Sequence, residues 1–145
     1  MPIQGTYCLC ISLTESILLQ IGKLGEIKFD SGKYVYVGSA LNSLVPRLVR
    51  HIKISTGSHD VRHWHIDYLL AESVATISKI YIVEGTVRLE CEIANTVESR
   101  GSCIPGFGSS DCKCNSHLFK VEDFSFLEKN GLKEYNLGVI DDLFD

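Results

Sequence analysis

The sequence predicts an α+β domain, with a small mixed or antiparallel sheet flanked by helices. Three observations predict it. Strand-like runs come first, and helices and strands mix afterwards, the element order of that class. Apolar residues recur at helical spacing from Leu44 to Ile52. The length of 145 residues suits one domain with its own core.

The elements follow in order. Gly5 to Leu13 reads as a strand. Ser16 to Ile21 reads as a second, after a turn near Thr14-Glu15. Glu26 to Phe29 is a short strand beyond the loop Gly22-Lys23-Leu24-Gly25. Asp30-Ser31-Gly32 is a turn signal, and Lys33 to Val37 is aromatic and β-branched, as strands are. Leu41 to Ile54 is predicted helical. Asn42 or Ser43 can cap it, and Pro46 falls in its first turn, where a missing N–H costs nothing. Ser55 to Asp60 is a loop, His63 to Ser73 a second helix, and Ile77 to Val83 a strand. A third helix runs from Thr86 to Ser99. Gly101 to Ser116 is Gly- and Cys-rich and irregular, and His117 to Val121 is the last strand. Phe124 to Lys129 is a short amphipathic piece, after which the chain is expected to fray. Residues 1–122, including the cysteine-rich segment 101–118, form the domain, and residues 123–145 form an acidic tail.

The charge is unevenly spread. Three lysines against seven acidic residues in 120–145 account for the whole net charge of −4. Residues 47–65 are locally basic, with Arg47, Arg50, Lys53 and Arg62 against Asp60 alone, plus His51, His59, His63 and His65. A basic patch on a neutral body can meet phosphate, and it also fits a solvated helix face. No apolar run is long enough to cross a bilayer, and the N-terminus lacks the basic-then-apolar order of a signal peptide. The expectation is a cytoplasmic protein without a membrane partner. In that compartment the six cysteines are expected to be buried thiols or metal ligands rather than disulfides. Cys8 and Cys10 alternate within an apolar run and read as small core residues.

One set of residues points at a chemistry. Gly5-Thr6-Tyr7 and Tyr36-Val37-Gly38 lie on predicted strands, Arg47 and His51 four apart on a helix, and Glu90 on another. Hydrolysis of a phosphodiester needs an activated water, a cation against developing charge, and in-line positioning. Glu90 suits one Mg²⁺ or Mn²⁺ ion, since a single carboxylate with waters and substrate oxygen is enough. Arg47 suits the phosphate, Tyr36 or Tyr7 the proton of water, and His51 a proton or a phosphate. A phenol titrates near about 10, so that role needs a neighbouring cation. Each residue also has a plain reading: packing for the tyrosines, solvation for Arg47, and a favourable helix dipole for Glu90.

The two triplets, Arg47-Leu48-Val49-Arg50-His51 and Leu89-Glu90-Cys91-Glu92-Ile93 resemble the GIY-YIG nuclease superfamily. More closely, the chain is similar to the branch known as a domain of unknown function, DUF123. Tyr34-Val35-Tyr36-Val37-Gly38-Ser39-Ala40, Trp64-His65-Ile66-Asp67-Tyr68, Glu90-Cys91 and Gly106-Phe107-Gly108-Ser109-Ser110-Asp111-Cys112 carry that likeness, over roughly residues 5–120. The resemblance implies a GIY-YIG-like core with the Cys-rich segment added. It implies Tyr7, Tyr36, Arg47, His51 and Glu90 as catalytic residues, and a structure-selective DNA endonuclease. DNA is favoured over RNA as partner. A repair-protein partner follows by analogy, since related domains are joined to DNA glycosylases. Against the family pattern, roughly one extra strand separates the triplets and Thr6 replaces isoleucine. The alternative is a nucleic-acid-binding module without catalysis, working through Arg50, Lys53, Arg62 and His65.

Two clusters remain open. His65 and Asp67 are candidates to line the cleft beside Tyr36, and Trp64 is either core or a base-stacking platform. Cys112, Cys114 and His117 lie within six residues and, with Cys91, supply a tetrahedral zinc set. Buried thiols or a redox pair are the alternatives, and His117 could serve the cleft instead. Gly106-Phe107-Gly108 with Ser109 and Ser110 could present backbone N–H groups to a phosphate.

Overall fold

The computed structural model describes residues 3–58, 62–87, 89–109 and 114–135. The alternating run at the N-terminus forms strand β1 (Gly5–Leu13), and Gly32–Ala40 forms β4. These two pair antiparallel in the middle of a six-stranded sheet of order β6-β7-β4-β1-β5-β8. The others are β5 (Ala75–Glu84), β6 (Gly101–Cys103), β7 (Leu118–Val121) and β8 (Lys133–Tyr135). Every pairing in the sheet is antiparallel. Strands β2 (Ile17–Ile21) and β3 (Gly25–Phe29) form a separate two-stranded ribbon, the extra segment between the two triplets.

Side-chain period decides the layering. Along β1, Tyr7, Leu9, Ile11 and Leu13 point into one core while Cys8 and Cys10 point into another. The first core is covered by helices α1 (Leu44–Ser55) and α2 (His65–Leu70) and by the ribbon. The second is covered by α3 (Glu90–Glu98) and α4 (Ser125–Lys129). With both faces buried, β1 reads as a nearly continuous apolar run rather than a half-polar one.

Several expectations change. Helix α1 starts at Leu44, and Ser43 sits at its cap position without a side-chain cap bond. The Leu44 N–H donates instead to the Ile3 carbonyl, at 2.7 Å. Helix α2 is shorter than the apolar pattern from His63 to Ser73 suggests. Asp67 turns its carboxylate back onto the N–H groups of His63 and Trp64, which stops the helix from extending towards the N-terminus. Helix α3 starts at Glu90 rather than Thr86. The Gly101 segment is not wholly irregular, because β6 pairs with β7. The expectation of fraying after Lys129 does not hold for the described residues up to Tyr135: β8 pairs with β5, and Phe126, Leu127 and Leu132 are buried in the second core. Among the described residues no helix is long and apolar enough to cross a membrane.

Candidate active site

The central strand pair brings the two triplets together. In the β1–β4 register, Tyr7 lies opposite Gly38 and Thr6 opposite Ser39. Gly38 carries no unusual backbone angle; its reason is contact, since a Cβ there would overlap the Tyr7 ring. Tyr36 lies diagonally across, with its ring centroid 6.5 Å from that of Tyr7. Both tyrosines line an open cleft of about 400 Å³, which Arg47, Trp64, Glu90 and His117 also line. The cleft rim from Gly38 to Ser43 is the end of β4 and the link to α1, residues that the sequence marked as triplet, family likeness and helix cap rather than as cleft lining.

Arg47 is held from two sides. Its Nη1 donates to the Ser39 carbonyl at 2.9 Å, and its guanidinium carbon lies 4.7 Å from the Trp64 ring centroid. Trp64 is therefore half-buried cleft wall rather than interior core. Arg50 packs on the same indole at 4.3 Å. It also makes two hydrogen bonds to the Asp67 carboxylate, at 2.9 and 2.8 Å. Asp67 is 0% exposed, so it supports the cleft from beneath and does not line it. Burial pushes its pKa up, but the Arg50 hydrogen bonds, the N–H groups of Trp64 and His63 and the Arg50 charge outweigh that and hold it below the usual value. The Trp-x-x-Asp spacing, which matches a helix start with its third residue turned back, was the available signal for this support.

His51 is entirely buried, with Nε2 2.7 Å from the Tyr7 hydroxyl. Burial pushes its pKa down to about 3, so it is neutral near pH 7. It cannot hold a phosphate, because no part of the ring reaches solvent. Among the described residues its Nδ1 has no hydrogen-bond partner. Burial also raises both cleft phenols above the ordinary tyrosine value, with Arg47 opposing. For Tyr36, the neighbouring Tyr7 and Glu90 add to the rise.

The other nucleic-acid candidates separate. Lys53 and Arg62 are exposed, Arg50 is turned inward onto Asp67, and the His65 Nδ1 accepts the Gly108 N–H at 2.8 Å. The Gly106 and Phe107 N–H groups donate to the carbonyls of Asn115 and Ile104. These three N–H groups are thus spent inside the protein and do not form a phosphate cradle. Gly108, at φ +71, lets the chain pass within van der Waals reach of Tyr36 and His117.

Glu90 opens α3, and its side chain is 13% exposed towards the cleft. Its Oε2 lies 3.9 Å from the Nδ1 of the buried His117. The next residue, Cys91, is disulfide-bonded to Cys114, contrary to the expectation of buried thiols or metal ligands rather than disulfides. The β7 lead-in and α3 bring these two cysteines together from 23 residues apart. The ligand atoms of Cys91, Cys114 and His117 all lie within 4.8 Å of one another, a group that could hold a metal ion. Cys112 lies outside the described residues. Cys8 and Cys10 are free and buried, as expected of core cysteines.

The profile of a protein family described as Domain of unknown function DUF123 matches residues 6–136. The chain belongs to the DUF123 family. In this DUF123 domain the matched span includes every cleft residue discussed above, together with α4 and β8. No curated protein and no solved structure matches the chain.

Proposed function

We propose that this DUF123 domain is a GIY-YIG-type, metal-dependent phosphodiesterase acting on nucleic acid: a structure-selective DNA endonuclease linked to repair. The observation that carries the reading is the convergence of Tyr7, Tyr36, Arg47 and Glu90 on one open cleft. One cation, one carboxylate and two phenols facing a common space are the parts that phosphodiester hydrolysis requires. Glu90 would hold a single Mg²⁺ or Mn²⁺, since its oxygen donors suit a hard ion. Such an ion supplies charge against the phosphate and lowers the pKa of water. Arg47, pinned by Ser39 and Trp64, meets the scissile phosphate in a fixed pose. At neutral pH the phenols are protonated, so they donate hydrogen bonds and orient water or phosphate oxygens. His51, whose pKa is pushed down to about 3, orients the Tyr7 hydroxyl rather than storing a proton. Lys53 and Arg62, both exposed, would meet the nucleic-acid backbone on this reading. In the cysteine–histidine group the reading is a zinc-class ion.

The second reading is a binding module without turnover. It draws on the buried, protonated state of both phenols, which leaves no phenolate to take the proton of water. Cleavage of labelled single-stranded, duplex, flap, bubble and abasic-site DNA, and of RNA, with Mg²⁺ or Mn²⁺ separates the two. The nuclease cuts at least one substrate and loses that activity in Glu90→Ala and Tyr36→Phe. Binding without cleavage in the wild type supports the module.

A further inference from the structure

His117 belongs to two groups at once. Its Nδ1 faces Glu90 in the cleft at 3.9 Å, and it completes the 4.8 Å cluster with the sulfurs of Cys91 and Cys114. Its position is fixed by main-chain bonds. Its N–H donates to the Phe107 carbonyl, and its carbonyl accepts the Val37 N–H, both at 2.8 Å. Glu90 and Cys91 are consecutive in the first turn of α3, and Asn115 ties the facing segment to that helix through Glu98. Two sulfurs and an imidazole therefore come from two anchored elements, with the Glu90 carboxylate beside the imidazole, and sulfurs with an imidazole are donors that a tetrahedral thiophilic ion takes.

We infer that the cleft has a second, thiol-dependent metal state. With Cys91 and Cys114 reduced, their sulfurs and His117 bind one divalent ion of the zinc class, and formation of the Cys91–Cys114 disulfide abolishes that binding. This deepens the metal reading of the cysteine–histidine group above and rests on it. A bonded pair of sulfurs has no thiolate to offer, so the disulfide and the thiolate-bound ion exclude each other. The exchange balances with a dithiol as reductant. The dithiol breaks the protein S–S bond, supplies two electrons and two protons, and becomes a disulfide itself, leaving two protein thiols. The ion then displaces those two protons as it binds both thiolates.

Cobalt(II) titration of the full chain, under anaerobic conditions, tests this without any nucleic acid. One preparation is reduced with a phosphine and the other oxidised with diamide, and peptide mapping identifies the paired cysteines. The reduced protein should bind a single cobalt ion, with a thiolate-to-cobalt charge-transfer band and the intense visible absorption of a tetrahedral site. The oxidised protein should bind it more than about a hundredfold more weakly. Cys91→Ser, Cys114→Ser and His117→Ala should lose the band or weaken binding, and Glu90→Gln, which removes the carboxylate beside His117, should weaken it roughly tenfold. Should a variant unfold by circular dichroism, the comparison of the two wild-type preparations still decides. Equal binding in both redox forms overturns the inference. So does a disulfide mapped to a pair other than Cys91–Cys114. A domain that fails to cleave DNA but passes the titration overturns only the nuclease reading.

Discussion

The Tyr7 hydroxyl and the His51 Nε2 meet at 2.7 Å inside the protein, joining the first central strand to the middle of α1. Burial holds the imidazole neutral, with a pKa pushed down to about 3 from an ordinary 6.5. In the unfolded chain the same histidine takes a proton below about pH 6.5. Stability is therefore fully present above that pH and is lost as pH falls towards 3. Each proton taken up only on unfolding contributes about 1.4 kcal/mol per pH unit. Urea unfolding between pH 7 and 4 should show this decline. His51→Gln, which does not titrate, should flatten it, with a smaller slope left by His65, whose pKa burial also lowers. Identical slopes in the two proteins would rule the account out.

Asp67 should be the most costly single polar residue to change. Its carboxylate accepts two bonds from Arg50 and one each from the N–H groups of His63 and Trp64, with no exposure to water. Removing one partner of a buried pair costs roughly 3 kcal/mol or more. Asp67→Asn and Arg50→Ala should each destabilise by about that, and the double variant by much less than the sum. Because the folded pKa of Asp67 is depressed, its contribution is present above about pH 4 and is lost as pH falls through the lower folded value. Losses below about 1 kcal/mol would mean that the pair is not carrying the α1–α2 contact.

Gly38→Ala tests the close approach of β1 and β4. The backbone there has no positive φ, and the three atoms nearest to an added Cβ all belong to the Tyr7 side chain. Overpacking of this kind costs about 1–3 kcal/mol. Replacing Tyr7 by Ala in the Gly38→Ala protein should remove the Gly38 penalty, measured as the difference between single and double variants. A penalty that persists without the ring would place its cause elsewhere.

If the proposed nuclease reading holds, Arg47→Lys should reduce nucleic-acid cleavage by roughly a hundredfold, because an ammonium keeps the charge but loses the fork and the stack on Trp64. Stability should change by less than about 1 kcal/mol, since Arg47 sits at the open cleft. Trp64→Leu acts through Arg47, and its cost should be nearer tenfold, the scale of one cation–π contact. Kinetics beside unfolding curves would distinguish these effects from simple loss of fold.

Much of the molecule was legible in the residues alone. Apolar and β-branched runs bounded by turn residues placed β1, β4, β5 and β7 of the sheet but not β6 or β8, and the spacing of Leu44, Leu48 and Ile52 placed α1, because local periodicity reports which face is buried. The candidate set of Tyr7, Tyr36, Arg47 and Glu90 was also visible, and all four line one cleft. What local pattern could not carry was decided by contacts between distant segments. The capping bond from Leu44 to Ile3, the inward turn of Arg50 onto Asp67, and the pairing of β8 with β5 each join residues that no periodicity links. The environments of His51 and Cys91 belong to the same class. Whether an imidazole is neutral, or a thiol has a partner, depends on which atoms tertiary packing brings within a few ångströms and how much water it excludes.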